Sequence, residues 1–392
     1  MSNSDKSMNI HLWLPQLFSF NGGIQIYSAF LFQALQNLFP DSRYEVMIKH
    51  DLETSSSITY LPQTRFHFAG SLPAKFRTPL FAAQLVGNGL IKKPDLVLAT
   101  HLNFAVASLI LKRLVGIPYW VVAHGIEAWN IKNKYLQTAL MEADLILAVS
   151  SYTRDRLLKE QNLAPQKVTI LPNTFDAHRF QPALKPDYLL AKHHLQPTQS
   201  VILTVARLSA GEQYKGYDQV LQALPQIRQS IPNVHYVIVG QGTDRPRIEQ
   251  LIAQLKLQDC VTLAGFVPDE QLCDYYNLCD VFAMPSKGEG FGIVYLEALA
   301  CGKAVLGGNQ DGAIDALCHG KLGALVNPDD VEAIAQTLTE ILMKKHPNSL
   351  IYQPDSLRSL VIDTFGFEKF QFTLHQLFQK LPLLSKIANF SS

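Results

Sequence analysis

Short runs that are apolar almost end to end constrain this fold more than any other feature. "MNIHLWLP" (8–15), "DLVLAT" (95–100), "YWVVAHG" (119–125), "ADLILAVS" (143–150) and "KVTILP" (167–172) are of this kind. A strand with one face in water alternates apolar and polar residues; a continuous run needs cover on both faces. Between the runs lie stretches with helical spacing, such as Ile24–Leu38, apolar at Tyr27, Phe30, Leu31, Ala34, Leu35 and Leu38. This alternation predicts a parallel α/β sheet covered by helices on both sides.

The alternation occurs twice. It breaks at the polar, proline-containing "QPALKPDYLLAKHHLQPTQS" (181–200) and restarts with "SVILTVARL" (200–208), "NVHYVIVGQG" (233–242), "CVTLAGFV" (260–267) and "DVFAMPS" (280–286). His193-His194 in the break reads as solvated. Two units are expected, 1–180 and 181–366, with the linker near 175–198, followed by an amphipathic helix near 367–381. A chain of 392 residues is long enough for two cores.

The charge balance narrows the partners. Net charge is +1, which argues against nucleic acid held by a general basic surface. Residues 1–180 hold 17 Lys/Arg and 12 Asp/Glu (17 − 12 = +5), and the remainder 17 and 21 (17 − 21 = −4). Cys260, Cys273, Cys279, Cys301 and Cys318 form no C-x-x-C pair, so reduced thiols in a cytoplasmic compartment are expected. Met1–Ser7 does not read as a leader, and no stretch reaches the ~18 apolar residues of a membrane span.

In open parallel sheets, ligands gather beyond the carboxyl ends of strands. "PSKGEGFG" (285–292) follows one such strand, and its glycines permit close backbone approach at a helix start. Glu289 lies in this loop; Glu297 lies about two turns into the following helix, inside an apolar run. A buried carboxylate costs several kcal/mol (roughly) unless something bonds it. Two carboxylates seven residues apart suit opposite ends of a long, hydroxyl-rich ligand. The plain alternative for a lone G-x-G is a tight turn with a solvent-facing Glu. Arg207 ends "VILTVAR", with Lys215 after it; two cations there suit a diphosphate, or form a solvated surface pair. His124, at the end of "VVAH", is a candidate partner for a substrate oxygen or a satisfied structural residue. Asn21-Gly22-Gly23 is an ordinary turn or a point of phosphate approach, and is not G-x-G-x-x-G. No metal-ligand spacing or P-loop stands out.

Taken together, "FNGGIQIY", "HGIEAWN", "ADLILAVSSYTRDRL", "ILPNTFDAHRF", "TVARLSAGEQYKGYD", "VIVGQG" and "GEGFG" with Glu289-x7-Glu297 resemble the retaining, nucleotide-sugar-dependent glycosyltransferases of GT-B fold called family 4. The resemblance covers nearly the whole chain. It implies two Rossmann-like, doubly wound domains facing a central cleft: an N-terminal acceptor domain, 1–180, a C-terminal donor domain, 181–366, and a last helix, about 367–392, packed back on the first.

It further implies a role for each residue. Glu297 would bond the ribose, and Glu289 the donor sugar beside the backbone of Phe291, Gly292 and Ile293. Arg207 and Lys215 would neutralise the departing diphosphate. Gly22 and Gly23 would close over that diphosphate, and His124 would lie near the reacting carbon. The base would rest by Gly265, Phe266 and Val267. The implied reaction moves a sugar from a UDP- or GDP-sugar to a hydroxyl of a glycan, a lipid-linked or a small-molecule acceptor. Retention without metal or cofactor is implied, so catalysis rests on placement and charge. The alternatives are a silent nucleotide-sugar-binding or scaffold protein, or an epimerase. Two departures stand out: a long Arg207–Lys215 interval, so that "SAGEQY" should loop over the phosphates, and "NQDGAID" (309–315), with Asp311 and Asp315 where many members have a glycine pair and Glu. The excess of cations in the first half, at Lys75, Arg77, Lys92, Lys93, Lys112 and Arg113, suits contact with the inner membrane face or only a solvated exterior.

Overall fold

A computed structural model describes residues 7–18, 22–53 and 62–380. Asn21 and the stretch 381–392 lie outside these residues. The chain forms two units, one ending at Thr174 and rejoined at Phe367, the other Phe175–Gly366.

The first unit alternates β1 (Asn9–Leu14), α1 (Gly23–Leu38), β2 (Arg43–Ile48), β3 (Thr64–Phe68), α2 (Ala74–Lys92), β4 (Leu96–Ala99), α3 (Ala105–Val115), β5 (Tyr119–Ala123), α4 (Lys134–Glu142), β6 (Leu145–Ala148), α5 (Ser151–Gln161) and β7 (Val168–Ile170). Its seven strands pair in the order β3-β2-β1-β4-β5-β6-β7, and every pairing is parallel. Every residue of β4, β5 and β6 is buried, as the continuous apolar runs require. Ser150 caps α5 by accepting from the Thr153 N–H at 3.0 Å.

The second unit holds α6 (Asp187–Lys192), β8 (Val201–Val205), α7 (Tyr217–Ser230), β9 (His235–Val239), α8 (Arg245–Gln254), β10 (Val261–Gly265), α9 (Asp269–Leu278), β11 (Val281–Met284), α10 (Ile293–Ala300), β12 (Ala304–Gly308), α11 (Ala313–Ala316), β13 (Ala324–Val326), α12 (Val331–Leu342) and α13 (Pro354–Phe365). Its six strands run β10-β9-β8-β11-β12-β13, again all parallel. Strand order reverses between β1 and β4 in one unit and between β8 and β11 in the other, so each sheet is doubly wound.

The last helix, α14 (Phe367–Lys380), belongs to the first unit. Phe370, Leu374 and Phe378, four residues apart, form its buried stripe. Phe378 sits 4.5 Å from the Trp120 ring and 4.8 Å from Phe39, and Phe370 sits 5.6 Å from Tyr27.

The break between units falls at Thr174, at the start of the expected linker rather than at 180. Arg358 on α13 explains this: it donates to the carbonyls of Phe180 and, at 2.6 Å, of Ala177. The Phe180 ring also packs edge-on to Tyr276, 5.7 Å away. The polar stretch 181–200 is more ordered than its composition suggests. It contains α6, which buries Leu189 and Leu190, and His193 is half-buried, with Nε2 3.0 Å from the Tyr275 hydroxyl.

Candidate active site

The second unit gathers its chemistry at the carboxyl ends of β8 and β11, on either side of its switch point. After β8 the chain passes Arg207 and makes a 3-10 turn, Ala210–Lys215; after β11 it makes the glycine loop that leads into α10. Gly216 lets the two loops meet. Its φ is +84°, and a β-carbon there would fall 2.3 Å from the Pro285 carbonyl oxygen. The Lys287 N–H then donates to the Tyr214 carbonyl at 2.9 Å.

Lys215 is ion-paired with Glu289, and each side chain is about one-seventh exposed (14%). Glu212, from the same 3-10 turn, lies 2.5 Å from Arg207 and 3.8 Å from Lys215. Among the described residues, its Oε2 is buried without a hydrogen-bond partner. Arg207 and Lys215 are therefore not a free cationic pair. They belong to a network of two cations and two carboxylates, in which Glu212 and Glu289 stand where other anions can stand. Sequence reasoning missed Glu212; the "SAGEQY" segment that contains it is 3-10 helical from Ala210 with a kink at Glu212 itself, where φ is −121°.

Glu297 is 5% exposed. Helix α10 begins only at Ile293, so Glu297 lies one turn into it, not two. Gly292 holds the preceding position with φ +87°, and no side chain caps the helix N-terminus. The protein itself supplies one partner for Glu297: the Tyr276 hydroxyl of α9 donates to Oε2 at 2.7 Å. Burial still raises the Glu297 carboxyl to about 7, against the lowering by Tyr276. Phe291 and Ile293 are buried beside it. Gly265 ends β10 with φ +75°; Phe266 after it is exposed and Val267 is buried.

Asp311, flagged only as a departure from the family pattern, is wholly buried. It accepts from the Ser286 hydroxyl and the Glu289 N–H, both at 2.7 Å, and from the Ala313 N–H at 2.9 Å. Burial raises its carboxyl to about 7.

In the first unit, His124 follows β5. Its Nε2 is 2.8 Å from the Thr100 carbonyl, which only accepts, so Nε2 carries the proton and Nδ1 is the acceptor. Burial lowers the imidazole to about 4, so the ring is neutral near pH 7. Tyr27 packs edge-on to it at 5.2 Å, and His101 after β4 lies 6.4 Å away, also lowered to about 4 by burial. Gly22 is the residue before α1 and Gly23 its first. Among the described residues, a β-carbon on Gly23 would meet nothing within 4 Å.

The basic surface of the first unit is thinner than the sequence suggests. Lys112 is tied to Asp144, Arg113 to Glu142, and Arg77 donates to the carbonyls of Gly70 and Leu72. Lys75, Lys92 and Lys93 remain exposed on or beside α2, Lys92 3.9 Å from Glu45. Phe76, Leu80 and Ile91 of α2 and Leu114 of neighbouring α3 are exposed as well. Among the described residues no helix is long and apolar enough to cross a membrane.

Comparison with known proteins places this architecture. The family model "Glycosyl transferases group 1" matches residues 189–353 and "Glycosyltransferase Family 4" matches 40–179. A GDP-mannose-dependent alpha-(1-6)-phosphatidylinositol monomannoside mannosyltransferase of Mycolicibacterium smegmatis is 31% identical over 208 residues, 51% of this chain and 53% of that protein. The phosphatidylinositol N-acetylglucosaminyltransferase gpi3 subunit of Schizosaccharomyces pombe is 24% identical over 336 residues, 82% of this chain and 70% of that protein. The matches thus span about half the length of the first of these relatives. The sucrose-phosphate synthase of Thermosynechococcus elongatus shares the fold, with a TM-score of 0.76 and 21% identity, covering 95% of this chain and 98% of that one.

Proposed function

We propose that this chain, which belongs to the group 1, family 4 glycosyl transferases of GT-B fold, moves a sugar from a nucleotide-sugar donor to an acceptor hydroxyl, with retention of configuration and without a metal ion. The observation that carries this is the Arg207–Glu212–Lys215–Glu289 network at the switch point of the second sheet.

A diphosphate arriving there exchanges with the internal carboxylates. It takes the cations from Glu212 and Glu289, and Glu289 is freed to bond hydroxyls of the donor sugar beside Phe291, Gly292 and Ile293. Glu297, already turned by Tyr276, accepts from the ribose. Exposed Phe266, between Gly265 and Val267, offers a face for the base. Arg207 and Lys215 then hold the negative charge that grows on the leaving diphosphate, which is where such sites accelerate reaction. In the first unit, taken by itself, Gly22 and Gly23 at the start of α1 offer a point of phosphate approach, and neutral His124 offers Nδ1 as an acceptor for a sugar hydroxyl. The acceptor hydroxyl attacks from the face that the diphosphate leaves.

The names of two relatives support a phosphatidylinositol-type, lipid-linked acceptor, and hence peripheral work at the cytoplasmic face of a membrane. Exposed Phe76, Leu80, Ile91 and Leu114 beside Lys75, Lys92 and Lys93 suit that surface.

The test is thermal unfolding with GDP-mannose, UDP-glucose and ADP-glucose in EDTA, followed by NMR of the product anomer. A ligand at 100 times its Kd adds about 2.7 kcal/mol. One sugar nucleotide should raise the Tm and be turned over to a product of unchanged configuration. No shift with any of the three, a need for Mg²⁺ or Mn²⁺, or an inverted product would overturn the corresponding part of the proposal.

A further inference from the structure

We infer that Asp311 is a positioning residue for Glu289, holding the glycine loop so that the Glu289 side chain stands at the donor sugar; this rests on the donor-site reading above. Asp311 and Gly312 grip the Glu289 backbone on both sides. The Glu289 N–H donates to Asp311 Oδ2 at 2.7 Å, and the Gly312 N–H donates to the Glu289 carbonyl at 2.8 Å. Gly312 presses directly against the loop: a β-carbon there would fall 2.1 Å from the Gly290 carbonyl oxygen.

The rest of the carboxylate is committed as well. Oδ2 also takes the Ser286 hydroxyl, and Oδ1 takes the Ala313 N–H at the start of α11. Ser286 lies 3.0 Å from the Tyr295 hydroxyl, which donates to the Met284 carbonyl at 2.7 Å, the last residue of β11. Asp311 thus ties the end of β11, the glycine loop and α11 to one point. Three donors converge on it, and only a group that accepts at both oxygens satisfies all three. Asparagine has the same shape but must turn an NH₂ toward either the Glu289 N–H or the Ala313 N–H, donor against donor. A cap for α11 alone would need only Oδ1. The bond from Oδ2 to Glu289 reaches 22 residues back along the chain and serves the loop.

The test is a cycle of Asp311→Asn, Glu289→Gln and the double variant, read by hydrolysis of GDP-mannose and UDP-glucose and by calorimetric Kd for GDP and UDP. Misplacing a reacting group by about 1 Å costs up to roughly 100-fold. Asp311→Asn should lower kcat about 10-fold in the wild-type background and less than about 2-fold beside Glu289→Gln, because the two act as one unit. The Kd for GDP or UDP should stay within about 3-fold, since Asp311 bonds Ser286, Glu289 and Ala313 rather than Arg207, Lys215 or Glu297, which hold the nucleotide. An equal loss in both backgrounds would overturn the inference.

Amide exchange of the wild-type chain, without any donor, provides a second reading that needs no variant to fold. The Glu289 amide should be protected like those of α10. Exchange at the intrinsic rate of an unprotected amide would overturn the inference even if neither sugar is hydrolysed. Absence of hydrolysis with a protected Glu289 amide would count instead against the donor reading.

Discussion

Beyond β4 and β5 the first unit sets two neutral histidines, His101 and His124, among aromatic rings. Beyond β8 and β11 the second unit sets Arg207 and Lys215 against Glu212 and Glu289, with Glu297 and Asp311 buried close by in sequence. The sheets are wound alike, and in both the strand ends and helix starts meet at a switch point. Topology therefore fixes where ligand groups can gather, and side-chain charge decides which ligand group each place suits. A cationic network with exchangeable carboxylates suits a diphosphate; neutral rings with one free acceptor nitrogen suit a hydroxyl.

The largest effect that would sharpen this contrast is acid stability. His11, His101 and His124 of the first unit are lowered by burial to about 4, below the ordinary 6.5. In the unfolded chain each takes a proton at higher pH than in the fold. The stability each contributes is therefore complete above about 6.5 and lost as pH falls through about 4, at most about 3 kcal/mol per histidine. Glu297 and Asp311 behave oppositely. Raised to about 7, they hold protons more tightly folded than unfolded, so stability is lost as pH rises through about 7. In the second unit burial lowers His235 to about 4 and also lowers His193 and His346. Between pH 7 and 4.5, hydrogen exchange corrected for intrinsic rates should show β1–β7 losing protection and β8–β13 keeping or gaining it. Equal loss in both sheets would remove the electrostatic difference.

Next in size is turnover. Glu289→Ala should cost about 100- to 1,000-fold in kcat, the scale on which loss of one preorganised transition-state contact is felt. His124→Ala should cost nearer 10-fold, because a neutral acceptor at Nδ1 orients a hydroxyl and carries no charge. Steady-state kinetics on both variants decide the matter. A larger loss at His124 would move the centre of the chemistry to the first unit.

The strand runs were legible where both faces are buried, and illegible elsewhere for physical reasons. "RYEVMI" and "TRFHF" became β2 and β3 at one side of the first sheet, where Glu45 reaches His67 at 2.5 Å; their charges mask the pattern. "AVLGG" and "ALV" became β12 and β13, one ending in glycines and the other three residues long. Of the site, Arg207 and Glu289 could be read because each closely follows a strand, and Lys215 and Glu297 because they lie on the segments that continue from those same strands. Partners from distant segments could not be. Tyr276 lies 21 residues before Glu297, and Asp311 lies 22 after Glu289; only folding brings them together. Glu212 had a visible signal, an acid midway between two cations expected to bind an anion.

The smallest expected effect concerns the outer surfaces. Six cations of the first half suggest a basic face, but ion pairs and backbone bonds occupy Arg77, Lys112 and Arg113. Lys75 and Lys93 remain, with Lys92 exposed but 3.9 Å from Glu45, each worth about 1 kcal/mol at most near an anionic surface and less beyond a Debye length. The apolar part does not depend on salt: Phe76 is 60% and Ile91 80% exposed on α2, and each buries area on contact with lipid. Sedimentation with phosphatidylserine vesicles at low salt should retain more protein than with neutral vesicles, and most of that difference should vanish at about 0.5 M salt. Lys92→Glu with Lys93→Glu should abolish the preference, and Ile91→Ser should weaken binding to both vesicle types alike. Equal binding to anionic and neutral vesicles at low salt would leave the first unit with an ordinary solvated exterior. A soluble sugar or small molecule would then be the better acceptor for the same donor chemistry.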